Sequence, residues 1–142
     1  MKKIVPFLFL LFIFACQDSP SVAESDLHYL NGYWEIEEVE FPDGSLKEYG
    51  LNSNIDFIQL ENDKGFRKKL QANLGGTYDT SNHDVEQLTL SPSNGIFIMG
   101  YSNEFSQWEE KLVKLDSLSF SVVNNEGVTY NYKRFEPIKI PQ

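Results

Sequence analysis

From residue 30 onward the chain is cut into short apolar runs by tight turn signals, and no long window carries the 3.6-residue apolar period of a helix. The breaks at residues 116–117 (Asp-Ser) and 124–127 (Asn-Asn-Glu-Gly) are so short that the runs beside them must be antiparallel neighbours. The runs alternate as half-buried strands do. Leu118, Phe120 and Val122 are interleaved with Ser119 and Ser121, and Val128, Tyr130 and Tyr132 with Thr129 and Asn131.

This reading yields eight strands, at residues 33–41, 55–60, 66–74, 85–90, 96–101, 108–115, 118–123 and 128–135. Pro42-Asp43-Gly44, Asn62-Asp63-Lys64-Gly65, Gly75-Gly76 and Ser91-Pro92-Ser93-Asn94-Gly95 separate the earlier ones. In the third strand Phe66, Leu70, Ala72 and Leu74 are expected on the dry face and Arg67, Lys69, Gln71 and Asn73 on the wet one. A short piece, Thr77-Tyr78-Asp79, leads into the fourth.

A run of consecutive antiparallel strands is a meander with two unpaired edges, and closing it into a barrel removes both. The expected fold class is therefore all-β: an antiparallel meander of about eight strands, closed as a small up-and-down barrel. An interior of that size is either packed with side chains or holds one small ligand.

The first residues have a different character. Lys2 and Lys3 precede an apolar run over residues 4–14, which is the pattern of an export signal. The run is too short for a spanning helix, which needs about 20 residues. It ends in Ile13-Phe14-Ala15-Cys16, which resembles the lipobox of bacterial lipoproteins. The resemblance implies removal of residues 1–15 and a thioether-linked diacylglycerol on Cys16, the only cysteine. Two or more acyl chains hold a protein stably at a membrane. Residues 16–29 are expected to be the lipidated cysteine and a flexible tether, 30–136 the barrel domain and 137–142 a tail.

Cleavage removes Lys2 and Lys3 and no acidic residue, so 12 basic side chains become 10 against 21 acidic ones, and the formal net charge moves from −9 to −11. That balance argues against nucleic acid as a partner and against binding anionic lipid by charge, since both need basic surface. Gln17 follows Cys16, in place of the aspartate that retains such proteins at the inner membrane. The expected location is the outer membrane of a Gram-negative cell.

The ends of the domain carry a second resemblance. Leu30-Asn31-Gly32-Tyr33-Trp34 resembles the Gly-x-Trp opening of strand one in the lipocalins, and Tyr130-Asn131-Tyr132-Lys133-Arg134-Phe135 sets an arginine on the last strand, where that family has a basic residue. Together with the lipobox, the pattern is similar to small lipocalin-like bacterial lipoproteins. It implies that Arg134 packs over Trp34 and joins the first strand to the last as a cation–π clasp. The chain departs from larger lipocalins in having only residues 137–142, with two prolines, where they carry a helix after the last strand.

Chemistry of the catalytic kind finds little support. With His28 and His83 and a cysteine committed to lipid, a zinc site lacks ligands. Asp79, His83, Asp84 and Glu86 could ligate a hard ion but read as a polar loop. No Gly-x-Ser-x-Gly elbow is present. Glu37 with Glu38, and Glu109 with Glu110, are adjacent, so their side chains leave a strand on opposite faces and cannot flank one sugar. Arg67-Lys68-Lys69 reads as the wet face of the third strand, and Asp116-Ser117-Leu118, which resembles a short O-glycan acceptor signal, as turn chemistry.

No enzyme and no cofactor is expected. The aromatic residues are the candidates for binding, because a phenol or indole brings a polar tip to an apolar wall. Tyr78, Phe105, Trp108, Phe120, Tyr130 and Tyr132 are the candidate liners of a ligand site. The first expectation is a membrane-anchored protein that holds a small apolar or amphipathic molecule. The alternative is an interaction lipoprotein with a filled core that meets a protein or glycan.

Overall fold

The computed structural model describes residues 22–50, 54–73 and 75–136, with residues 81–84 described in backbone only. The expected signal segment, Cys16 and the tail 137–142 lie outside the described residues. A 3-10 helix, Glu24–Leu30, is followed by β1 Gly32–Glu40, β2 Leu46–Glu48, β3 Asn54–Glu61, β4 Lys64–Ala72, β5 Tyr78–Ser93, β6 Ile96–Ser102, β7 Gln107–Leu115, β8 Ser119–Asn124 and β9 Thr129–Arg134.

The strands form the closed antiparallel barrel expected of the sequence. β1 pairs with β3, the strands from β3 to β9 pair successively in chain order, and β9 returns to pair with β1. Eight strands make the wall. The ninth, β2, was not expected: it lies end to end with β3 along one edge of β1, pairing with Glu38 to Glu40 while β3 pairs with Gly32 to Trp34. Register shifts between Ile36 and Glu38, Lys68 and Leu70, and Leu112 and Lys114 mark irregularities that coil the strands.

Several boundaries differ from expectation for local reasons. Tyr78 and Asp79 belong to β5 itself, and so do Ser91 to Ser93, leaving Asn94-Gly95 as the turn. Asn94 and Gly95 have φ of 50° and 80°, the left-handed pair that a two-residue hairpin demands. At the other end, Glu24–Leu30 is helical where a tether was expected, and Val22 and Leu27 pack against the core while Leu30 is fully buried. Leu27 and Leu30 stand three residues apart, the spacing that shares one side of a 3-10 turn.

The third expected strand is inverted at its start. Residues directly opposite across an antiparallel pair share a face. Arg67 stands opposite Ile58 of β3 and Glu86 of β5, and Ile58 and Leu88 are interior positions, each 1% exposed. Arg67 is therefore inside and 6% exposed, whereas Phe66 lies on the outer wall against Phe57. Alternation had the direction wrong at Phe66 and Arg67, because Phe66 is the more apolar of the two. Past the register shift at Lys68, Leu70 and Ala72 are half-buried and Lys69 and Gln71 exposed, as expected, and Leu74 lies outside the described residues.

Candidate binding cleft

The interior has two unlike ends. At the end where β1 begins, Leu30, Trp34, Ile58, Leu90, Met99, Leu112, Phe120 and Val122 fill the barrel. Trp34 is fully buried; its Nε1 donates to the Leu30 carbonyl at 2.8 Å, and the edge of its ring meets Phe120 at 4.7 Å between centroids. Phe120 in turn stacks on Tyr132 at 4.4 Å.

Arg134 closes this end. Its Cζ lies 3.7 Å from the Trp34 ring centroid, Nη1 donates to the Asn31 carbonyl, Nη2 to the Tyr29 carbonyl and Nε to the Ser117 carbonyl. The guanidinium thus ties β9 to the chain on both sides of the barrel seam. Gly32 makes room for it: its φ is +122°, and a Cβ there would stand 2.6 Å from Nη1. The glycine and the tryptophan two residues on serve one contact.

The other end is charged. Arg67 Nε meets Glu86 Oε2 at 2.5 Å, and its guanidinium lies over Tyr101, 4.1 Å from the ring centroid, and 5.9 Å from that of Trp108. Burial works against the charge, while the Tyr101 ring beneath it and the Asp56 and Glu86 carboxylates favour it, and the pKa of Arg67 is raised. Lys69 Nζ donates to Asp56 Oδ1 at 2.9 Å. Glu110 is 8% exposed, its Oε2 has no hydrogen-bond partner among the described residues, and desolvation raises its pKa. Burial likewise pushes the Tyr101 and Tyr132 hydroxyls up, so both stay neutral donors.

A cleft of about 670 Å³ opens beside this charged end. It lies along the edge of β1 between β2 and β3, where among the described residues neither strand pairs with Glu35 or Ile36. Trp34 and Ile36 of β1 and Leu70 give it apolar wall; Asp56, Lys69, Gln71, Asp79, Thr80, Asn54 and Tyr49 give it polar wall. The volume is that of a small-molecule site. The mixed lining fits an amphipathic molecule, with the Asp56–Lys69 pair offering an acceptor and a donor side by side.

None of the six aromatic candidates lines this cleft. Phe120 and Tyr132 are stacked in the filled core, Tyr130 is packed against it, and Trp108 stacks on Tyr101 at 5.3 Å between centroids. Phe105 stands 91% exposed in the β6–β7 turn. Tyr78 is on the outer wall, stacked with Tyr33. Sequence reasoning missed Asp56, Lys69, Arg67 and Glu110 by taking charge as a sign of solvent. A usable signal was there in Asp56, a charged residue set between Ile55 and Phe57. Of the acidic loop, His83 and Asp84 lie outside the described side chains and Glu86 is committed to Arg67. Among the described residues no group of three or more histidine, cysteine or acidic side chains is placed to hold a metal.

The sequence matches no protein-family model and no curated protein. Among solved structures it is similar to a lipocalin-like protein from Bacteroides uniformis, at 12% identity and a TM-score of 0.47, over 75% of this chain and 99% of that one. It is also similar to a protein from Bacteroides eggerthii described as uncharacterized, at 13% identity and a TM-score of 0.48, with the same coverage.

Proposed function

We propose that this chain is an exported lipoprotein, held at the outer membrane by acyl chains on Cys16, whose lipocalin-like barrel binds a small amphipathic molecule without transforming it. The observation that carries the binding reading is the cleft beside β1, where an ion pair, amides and a phenol surround an apolar floor of Ile36 and Leu70. A long apolar ligand in the barrel axis is disfavoured, because Phe120, Met99, Leu112 and Val122 already occupy that space. The ligand reading therefore shifts toward a compact molecule with a polar end on Asp56 and Lys69.

Two measurements test the two halves. Intact-mass analysis of the protein from its own membranes reports the diacylglycerol on Cys16, and Cys16→Ser moves the protein to the soluble fraction if the anchor is as proposed. For the ligand, thermal denaturation of the mature chain against a metabolite pool reports stabilisation by any molecule that binds only the folded state. Stabilisation that disappears in Ile36→Trp, which fills the cleft floor, supports this site.

The alternative, an interaction lipoprotein with a filled core, draws on the same packed interior. It predicts no stabilising small molecule and a crosslinked partner instead.

A further inference from the structure

On the outer wall, five aromatic rings form one continuous row. Phe66 stands 6.0 Å from Phe57, Phe57 4.8 Å from Tyr33, Tyr33 5.8 Å from Tyr78 and Tyr78 6.2 Å from Phe135, all between ring centroids. They come from β4, β3, β1, β5 and the residue after β9. Tyr33 is 39% exposed and the other four are half-buried. Contiguous aromatic surface on the outside of a water-soluble barrel costs solvation and marks an interaction face.

The chain itself limits what this face can meet. Five residues separate Cys16 from Val22, and at ~3.3–3.6 Å per residue even a straight connection reaches only about 20 Å. That is shorter than the nine residues of β1, which at ~3.3 Å each span about 30 Å. Val22 packs against the core two residues before the helix Glu24–Leu30, which contacts β3 and β7 and ends in Leu30, buried at the closed end. The row begins at that end: the Phe135 amide donates to the Tyr33 carbonyl at 3.0 Å, one residue beyond Arg134. Of the other exposed apolar residues, Phe41 and Phe105 in turns and Leu46 at the start of β2 lie at the opposite end, and Leu118, beside Arg134, lies at the closed one.

We infer that the row Tyr33, Phe57, Phe66, Tyr78 and Phe135 lies against the headgroup and glycerol zone of the bilayer that holds Cys16, fixing the barrel on its side with the cleft at a set orientation. This inference rests on the anchored reading. Phenols and phenyl rings settle at such an interface because they are apolar with, in tyrosine, a polar tip. With a net charge of −11 after cleavage, the chain gains nothing from anionic lipid, so the contact is one with zwitterionic lipid and survives salt.

The test uses the mature chain, residues 16–142, coupled through its only thiol, Cys16, to a maleimide-headgroup lipid in phosphatidylcholine vesicles. Hydroxyl-radical footprinting then compares coupled with uncoupled protein. Oxidation of Tyr33, Tyr78 and Phe135 is expected to fall severalfold on coupling, in low salt and in 1 M salt (a Debye length of ~3 Å), while Phe41, Leu46 and Phe105 stay unchanged. Tyr33→Ser with Tyr78→Ser restores oxidation at Phe135. Protection at Phe105 and Phe41 in place of the row, or no protection anywhere, overturns the inference. So does protection of the row in uncoupled protein that grows with concentration, which would assign the face to a second copy. Because the coupling is chemical, the result stands apart from whether Cys16 is lipidated in the cell, which intact mass decides separately.

Discussion

Arg67 and Glu86 face each other from adjacent strands inside the barrel, Nε to Oε2 at 2.5 Å, with side-chain exposures of 7% and 11%. Neither charge has water to fall back on. Taking one away strands the other, whereas replacing both with apolar side chains removes the desolvation cost together with the attraction.

Arg67→Met alone is therefore expected to lower unfolding stability by about 3–5 kcal/mol. Arg67→Met with Glu86→Leu is expected to recover most of that loss. Urea unfolding of the two variants and the parent checks it, and equal losses in both variants would mean that Arg67 acts through its stacking on Tyr101 instead.

The clasp at the closed end gives a second expectation. Arg134→Ala removes three hydrogen bonds to carbonyls and the contact with Trp34, and is expected to cost about 2–4 kcal/mol. Arg134→Lys recovers only part, since an ammonium cannot reach the Tyr29, Asn31 and Ser117 carbonyls from one planar fork. Gly32→Ala is destabilising even with Arg134 in place, because its φ of +122° is strained for any side chain and the new methyl meets Nη1. Gly32→Ala combined with Arg134→Ala separates the two causes: a residual loss measures the backbone strain alone.

How legible all this was depends on what each feature draws from its neighbours. The barrel was readable from turns such as Asn124 to Gly127 and from the alternation of Phe120, Val122, Tyr130 and Tyr132, because those are local. Trp34 and Arg134 were readable through a resemblance, and the structure places the guanidinium over the indole. The cleft was not readable. It exists because β2 and β3 share one edge of β1 with a gap between, and the three-residue β2 has no periodic signal of its own. The inward turn of Arg67 was hidden for a related reason: a strand's period is visible in its own residues, but which face is interior is settled by its register with β3 and β5. The helix Glu24–Leu30 was masked by its polar composition, with Leu27 and Leu30 too few to stand out.

Glu110 makes the molecule's stability depend on pH in a definite direction. Its pKa is raised by desolvation, against the pull of Arg67 and Lys69 and with the push of Glu86 and Asp56. The folded state therefore holds the proton more tightly than the unfolded one, whose carboxyl titrates near 4.5. The stabilisation is complete below that value and is lost as pH rises through the folded pKa. Glu110→Gln keeps a neutral group at every pH. It is expected to match the parent near pH 4 and to exceed it by about 1 kcal/mol at neutral pH. A melting-temperature series from pH 4 to 8 reads this directly, and parallel curves for the two proteins would contradict it.

Phe105 offers a control on what is structural. At 91% exposure in the β6–β7 turn it holds nothing in place, so Phe105→Ser is expected to change stability by no more than about 0.5 kcal/mol. Calorimetry of that variant beside Phe120→Ala, which opens the stack on Tyr132 and is expected to cost about 3–5 kcal/mol, separates the aromatic residues that build the core from those that do not.

The cleft between β1 and the β3–β4 pair is proposed to bind a small amphipathic molecule through Asp56 and Lys69. Native mass spectrometry of the mature Cys16→Ser chain, purified gently from its own kind of cell, tests it most directly. The expected result is a reproducible mass above that of the bare chain, lost in Ile36→Trp and weakened in Asp56→Asn and Lys69→Gln while all three variants keep their far-ultraviolet dichroism. A bare mass in every preparation, or a bound mass that Ile36→Trp leaves untouched, would contradict it.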